Sequence, residues 1–157
     1  MIDVYILDAN ALINMKKLPV ASQWDFFLGL EARVEAGEIA IPLHVIREVS
    51  DVQHPDMPGA WAKGMEKRMV YPLQADEHHT LRVMTETPNV LDVDADTEQA
   101  DPFVIALALH LAAAGYHPIV VTEDKKDRPP RISVKTACDQ LNVDCVSLED
   151  FLTAIAI

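Results

Sequence analysis

Short apolar runs alternate with longer stretches of helical periodicity along the whole chain. The first run, Val4 to Leu7, is rich in β-branched and aromatic residues and stops abruptly at Asp8. A continuous apolar run of that length suits a strand covered on both faces. Asn10 to Met15 then starts a helix with Asn10 as its N-cap, and Pro19 stops it. Ser22 caps the next helix, whose Trp24, Phe27, Leu28, Leu30 and Val34 mark one broad apolar face up to Gly37. Ile39 to Ile41 is a second strand. Pro42 fits the first turn of a helix carrying Leu43, Val45, Ile46 and Val49.

Asp51 to Gly59 is polar and broken by Pro55, Pro58 and Gly59, and is expected to be a loop. Ala60 to Met69 is a short helix. Ala75 to Thr85 is another, closed by Pro88, and Leu91 to Val93 is a brief strand or extended chain. Asp101-Pro102 leads into a strongly apolar helix that ends at Gly115. That helix is apolar almost all round, which places it at the centre of the fold or at a subunit interface. Ile119 to Val121 is a strand followed by a charged loop, Lys125 to Pro130, and Ser133 caps a further helix through Leu141. Cys145-Val146 is the last strand, and Ser147 with Asp150 resembles a capping box for the terminal helix. Strands alternating with helices predict an α/β fold around a parallel sheet.

Composition narrows what such a fold can do. A length of 157 residues suits one domain, and 50% hydrophobic with 24% charged residues excludes a disordered chain. The opening Met1 to Tyr5 shows no basic segment followed by an apolar one, so no signal peptide is expected. The longest apolar run, Phe103 to Gly115, contains His110 and is too short to span a bilayer. Cys138 and Cys145 lack metal or redox spacing and read as free thiols of a cytoplasmic protein. A net charge of -12 argues against gripping nucleic acid through a basic surface. It leaves open an enzyme that reaches phosphate through a divalent cation, and it suits a basic partner.

Four acidic positions carry the candidate chemistry. Asp8 ends the first strand, Glu48 lies on the helix after the second, Asp101 opens the apolar helix, and Asp124 follows the Ile119 to Val121 strand. In a parallel sheet, strand ends and the starts of the following helices share one edge, where open sheets place ligands. Crowded carboxylates resist ionisation, and a divalent cation removes the conflict. Mg²⁺ or Mn²⁺ suits an all-oxygen donor set, and either ion can activate water and stabilise charge on a phosphodiester. Each residue also has an ordinary structural use. Asp8 and Asp101 are good N-caps, Asp101 before a first-turn proline, while Glu48 and Asp124 suit solvated helix and loop positions.

The order of these segments resembles that of PIN-domain ribonucleases, the fold of VapC-type toxins. Tyr5-Ile-Leu-Asp8-Ala-Asn10-Ala-Leu-Ile is similar to the opening motif, and Ile41-Pro42-Leu-His-Val-Ile-Arg-Glu48-Val to the second. Ala100-Asp101-Pro-Phe-Val-Ile-Ala106-Leu-Ala resembles the third, and Val120-Val-Thr122-Glu-Asp124 the fourth. The resemblance implies one PIN-like domain over residues 1–157 with a helical insert around 55–91. It implies a Rossmann-like parallel sheet with helices on both faces, in three α/β/α layers. The activity implied is that of a Mg²⁺- or Mn²⁺-dependent endoribonuclease, often a homodimer and the toxin of a toxin–antitoxin pair. Asp8, Glu48, Asp101 and Asp124 would then hold metal, with Asn10 and Thr122 supporting the site and Glu123 as a substitute for Asp124. The insert and the stretch Lys125 to Cys138 resemble a PIN-like branch distinct from a compact VapC.

Other features compete for attention. Lys125, Lys126, Arg128, Arg131 and Lys135 form a basic strip beside the fourth motif that would take RNA phosphates, or is a solvated loop. His78-His79 reads as part of a polar helix face rather than a metal pair, because adjacent helical residues point apart. His44 lies one turn before Glu48, and Trp24, Phe26 and Phe27 suit the core or a dimer contact. Two other functions remain open. A haloacid-dehalogenase-type phosphatase also ends its first strand in Asp, but would want a second Asp where Asn10 stands. A PIN-like scaffold without catalysis would act through partner binding alone.

Overall fold

The computed structural model of the chain describes residues 1–92 and 99–156. Among these, four short strands form one parallel sheet. They are β1 (Asp3–Leu7), β2 (Ile39–Ala40), β3 (His117–Val121) and β4 (Asp144–Val146), in the order β2-β1-β3-β4. Eight α-helices flank it in a three-layer α/β/α, Rossmann-like arrangement: α1 (Ala9–Asn14), α2 (Gln23–Glu35), α3 (Leu43–Ser50), α4 (Met57–Met65), α5 (Glu77–Glu86), α6 (Asp101–Ala113), α7 (Val134–Gln140) and α8 (Leu148–Ala154). None of the described helices is long and apolar enough to cross a membrane.

β1 is central because its side chains can be buried on both faces. Val4, Ile6 and Leu7 are fully buried, and the strand pairs with β2 through Tyr5 and Ile6 and with β3 along its whole length. The chain leaves β1 towards β2 on one side and reaches β3 and β4 on the other. The strand order therefore reverses between β1 and β3, and their carboxyl ends flank the switch-point crevice of the sheet. α6 is buried nearly all round, from Pro102 and Val104 through Leu109 and at Leu111, so its uniform apolarity reflects a central position within one chain.

Several boundaries differ from expectation for identifiable reasons. Asp8, not Asn10, is the N-cap of α1, because its carboxylate accepts the Ala11 amide at 2.7 Å and starts the helix at Ala9. α2 buries Phe26, Phe27, Leu30 and Val34, while Trp24 and Leu28 face solvent at 65% and 45% exposure. The buried stripe is thus rotated towards Phe26, which forms an edge-on pair with Phe27. The loop after α3 ends at Asp56, whose carboxylate caps α4 through the Gly59 amide; Pro58 and Gly59 belong to the helix. Asp101 is the first residue of α6 rather than its cap, which is Ala100 without a side-chain bond. Leu91 and Asp92 are not in a strand, and Val93 lies outside the described residues. Ser22, Ser133 and Ser147 cap as expected, each accepting the amide three residues on. Both cysteines are free.

Gly59 sets how closely α4 approaches α3. A β-carbon there would collide with the Val49 carbonyl, a backbone group that cannot swing aside. Gly64, on the same helix, faces open space. Gly59→Ala is expected to destabilise the protein by about 1–3 kcal/mol through overpacking. Gly64→Ala should stabilise it by about 0.4–1 kcal/mol by restricting the unfolded chain. Urea midpoints of the two variants check the pair; a Gly59→Ala midpoint at or above the parent's overturns the close-approach argument.

Candidate active site

The carboxyl ends of β1 and β3 deliver two of the four acidic residues directly. Asp8 follows β1 and is 1% exposed, and Asp124 stands three residues beyond Val121, the end of β3. The first residue of α6 brings Asp101, and the last turn of α3 brings Glu48 to the exposed rim. The four interact electrostatically. Burial first, then the charges of Asp101 and Asp124, pushes Asp8 up to about 7, against the pull of the Thr122 hydroxyl and the Ala11 amide. Asp101 is raised by burial, with the Arg131 charge opposing and Asp124 adding to the rise. Glu48 is raised by desolvation and then by Asp101.

Local bonds hold these groups in place. One Asp8 oxygen accepts the Ala11 amide, and the other is buried without a hydrogen-bond partner among the described residues. The fully buried Thr122 accepts the Asp124 amide through its hydroxyl at 3.0 Å, which turns Asp124 into the cleft. Asp124 Oδ2 then accepts the Val134 amide at 3.1 Å. Arg131 bridges two of the acids: its Nη2 donates to Asp101 Oδ2 at 2.9 Å and to Asp124 Oδ2 at 3.0 Å. The loop is folded back for this contact. Arg128 and Arg131 exchange both backbone hydrogen bonds at 2.9 Å, forming a tight turn through Pro129-Pro130.

The structure sorts the remaining candidates. Glu123 points elsewhere and accepts the Leu148 amide at 2.8 Å, so Asp124 is the carboxylate of the fourth motif that joins the centre. Asn10 is exposed and accepts from Asn14 one turn on, and among the described residues it gives the site no hydrogen bond. The basic strip is divided. Arg131 belongs to the acidic centre, Lys135 pairs with Asp139, and Lys125 stands 3.5 Å from Glu123. Lys125, Lys126 and Arg128 remain on the exposed loop beside the centre. His44 stacks on Phe103 at a centroid distance of 3.5 Å, at the edge of a cavity of about 650 Å³ that Ala75, His78, Leu81 and Met84 also line. None of the four carboxylates lines that cavity.

His78 and His79 do not point apart. Their rings lie 3.9 Å apart, and His79 also meets His110 edge-on at 5.5 Å. Burial first, then His78 and His110, lowers the His79 pKa below its ordinary value. Sequence reasoning missed this grouping and the inward turn of Arg131. The available signal for the first was His110, a lone imidazole in an otherwise apolar helix.

The donor set suits a hard divalent cation. The four groups are carboxylates, the pKa values of Asp8, Glu48 and Asp101 are raised by burial and by neighbouring acids, and a buried Asp8 oxygen lacks a partner among the described residues. Fold and site together define a Rossmann-like α/β protein with a carboxylate centre at the switch point of its sheet. Residues 5–157 match the family described as Domain of unknown function (DUF4411), and the chain belongs to that family. The match takes in all four carboxylates and Arg131. No curated protein matches the sequence.

Two outcomes follow from these electrostatics. The folded-state pKa of Asp8 lies above its unfolded value of 3.8, so folding takes up a proton between them. Stability in EDTA should therefore fall as pH rises from about 4 to about 7, and Asp8→Asn should flatten that slope. Thermal melts across the range check it; equal slopes for parent and variant overturn it. His117 is also raised, by hydrogen bonds to Asp3 and then Asp144 on the opposite edge, and its share is unaffected by Asp8→Asn. Arg131→Ala should lower metal-free stability at pH 7 by about 2–3 kcal/mol, since it strips two charge-assisted bonds from crowded acids. The deficit should shrink towards pH 4 as Asp101, whose pKa burial raises, takes up its proton. Denaturant titrations at both pH values decide it, and a deficit that ignores pH counts against the counter-ion role.

Proposed function

We propose that this protein is a PIN-like, Mg²⁺- or Mn²⁺-dependent endoribonuclease that acts as the toxin of a toxin–antitoxin pair. The observation that carries the reading is the meeting of Asp8, Glu48, Asp101 and Asp124 at the β1/β3 switch point, with one buried Asp8 oxygen unpartnered. These four carboxylates would hold the cation. Bound there, the ion would polarise a phosphodiester and lower the pKa of an attacking water.

The chain's own groups have definite parts. The Ala11 amide fixes Asp8, and Thr122 with the Val134 amide fixes Asp124. Arg131 balances Asp101 and Asp124, which keeps acids so close together tolerable. Its planar guanidinium also suits phosphate, and Lys125, Lys126 and Arg128 on the adjoining loop would meet the RNA backbone. A net charge of -12 for the chain as a whole suits a basic antitoxin. The solvent-facing Trp24 and Leu28, one turn apart on α2, support self-association as a homodimer.

The phosphatase alternative fares less well, because the Asn10 amide is tied to Asn14 and no acid stands two residues after Asp8. The test is cleavage of labelled RNA with Mn²⁺ or Mg²⁺. Asp8→Asn and Asp101→Asn are each expected to reduce cleavage at least a hundredfold while retaining the parent's circular dichroism at pH 5. Unchanged cleavage by either variant removes the mechanism. A phosphate mimic trapped on Asp8 would turn the assignment to a phosphatase. Absence of Mn²⁺ binding by calorimetry would leave a binding scaffold.

A further inference from the structure

Away from the acidic centre, α5 and α6 bring three other ligand-bearing side chains together. Asp76 is the residue before α5, His79 lies in its first turn, and His110 lies in the last turn of α6. One ligand atom from each lies within 4.8 Å of the others. We propose that Asp76, His79 and His110 form a second cation site, for a borderline divalent transition metal such as Zn²⁺, which ties the start of α5 to the end of α6.

Three details support a ligand set over a chance grouping. First, Asp76 occupies an N-cap position but makes no side-chain capping bond. Its carboxylate instead lies 3.8 Å from His110 Nδ1. Second, the Asp76 amide donates to His110 Nδ1 at 3.2 Å, so that nitrogen serves as an acceptor on the side of His110 that faces Asp76. The bond is long and near the surface, and water can replace it once a metal takes the lone pair. Third, the spacing is close to a coordination sphere. Ligands about 2.0–2.1 Å from a tetrahedral Zn²⁺ stand about 3.3 Å apart. The exposed Asp76 can close the remaining gap by a side-chain rotation.

Donor chemistry separates this site from the first. Two imidazoles and one carboxylate favour Zn²⁺, Co²⁺ or Ni²⁺ over Mg²⁺, with a fourth position left for water. The site does not depend on the nuclease reading, since it shares no residue with the acidic centre.

The test is titration of untagged, full-length protein with Co²⁺ in excess Mg²⁺, followed by calorimetry with Zn²⁺. One equivalent of Co²⁺ should develop the intense visible bands of a four-coordinate ion. His79→Ala and Asp76→Ala, both at surface-accessible positions, should each weaken Zn²⁺ binding at least tenfold, and His110→Ala likewise where it folds. Asp8→Asn and Asp101→Asn should leave it unchanged. Weak six-coordinate Co²⁺ bands, or equal Zn²⁺ affinity in the His79→Ala and Asp76→Ala variants, would overturn the proposal. Loss of binding in Asp101→Asn with retention in His79→Ala would assign the ion to the acidic centre instead.

Discussion

Crowding of negative charge at one edge of the sheet is the constraint around which this fold is arranged. Asp8, Asp101 and Asp124 cannot all be ionised side by side out of water without compensation. In the structure the compensation comes from Arg131, which shares one nitrogen between two of the acids, and from the retained proton that the raised Asp8 implies. The backbone contributes through the Ala11 and Val134 amides. Even so, one oxygen of Asp8 stays buried without a partner among the described residues. A structure meant only to be stable would gain by replacing such a cluster with apolar side chains. That imbalance is the physical content of calling the cluster a site.

The sheet explains why these residues meet although they are far apart in sequence. β1 is flanked on both sides, so its exit is forced into the crevice where strand order reverses, and β3 exits beside it. Register brings Asp8 level with Thr122, since Leu7 pairs with Val121, and the Thr122 hydroxyl then holds the Asp124 amide two residues on. α6 then supplies Asp101 from its first turn because its apolar length must lie across the sheet. Burial of α6 and placement of Asp101 are consequences of one packing decision.

Much of this was legible in the chain. Val4 to Leu7 announces a two-faced strand, Ile119 to Val121 another, and the acid that follows each strand announces the shared edge. Serine caps were readable because their signal is local: a hydroxyl and an amide three residues on. What was not legible depended on distant contacts. Arg131 looks like one more cation in a basic loop, and only the fold-back of Arg128 to Arg131 turns it towards Asp101, thirty residues earlier. Glu123 and Asp124 are chemically near-equivalent in sequence. Their division of labour appears only when the start of α8 presents the Leu148 amide to Glu123. The rotation of α2 that exposes Trp24 likewise depends on what packs against it, since Trp61 meets Phe27 from another helix.

The two ends of α6 differ in the chemistry they gather, and the difference follows from burial. At its start, Asp101 is mostly shielded among other carboxylates and the Arg131 guanidinium, a set whose only potential metal donors are oxygens, which suits a small, hard cation. At its end, His110 meets His79 and Asp76 near the surface, where two imidazoles and one carboxylate gather. A histidine at Asp101's position would neither relieve the crowding nor match the oxygen donors. The same apolar helix thus holds apart two polar clusters of different donor chemistry, and its burial between them keeps them from merging. Chemical selectivity between the two places would arise from the donors themselves, with the rigidity of α6 setting only their separation.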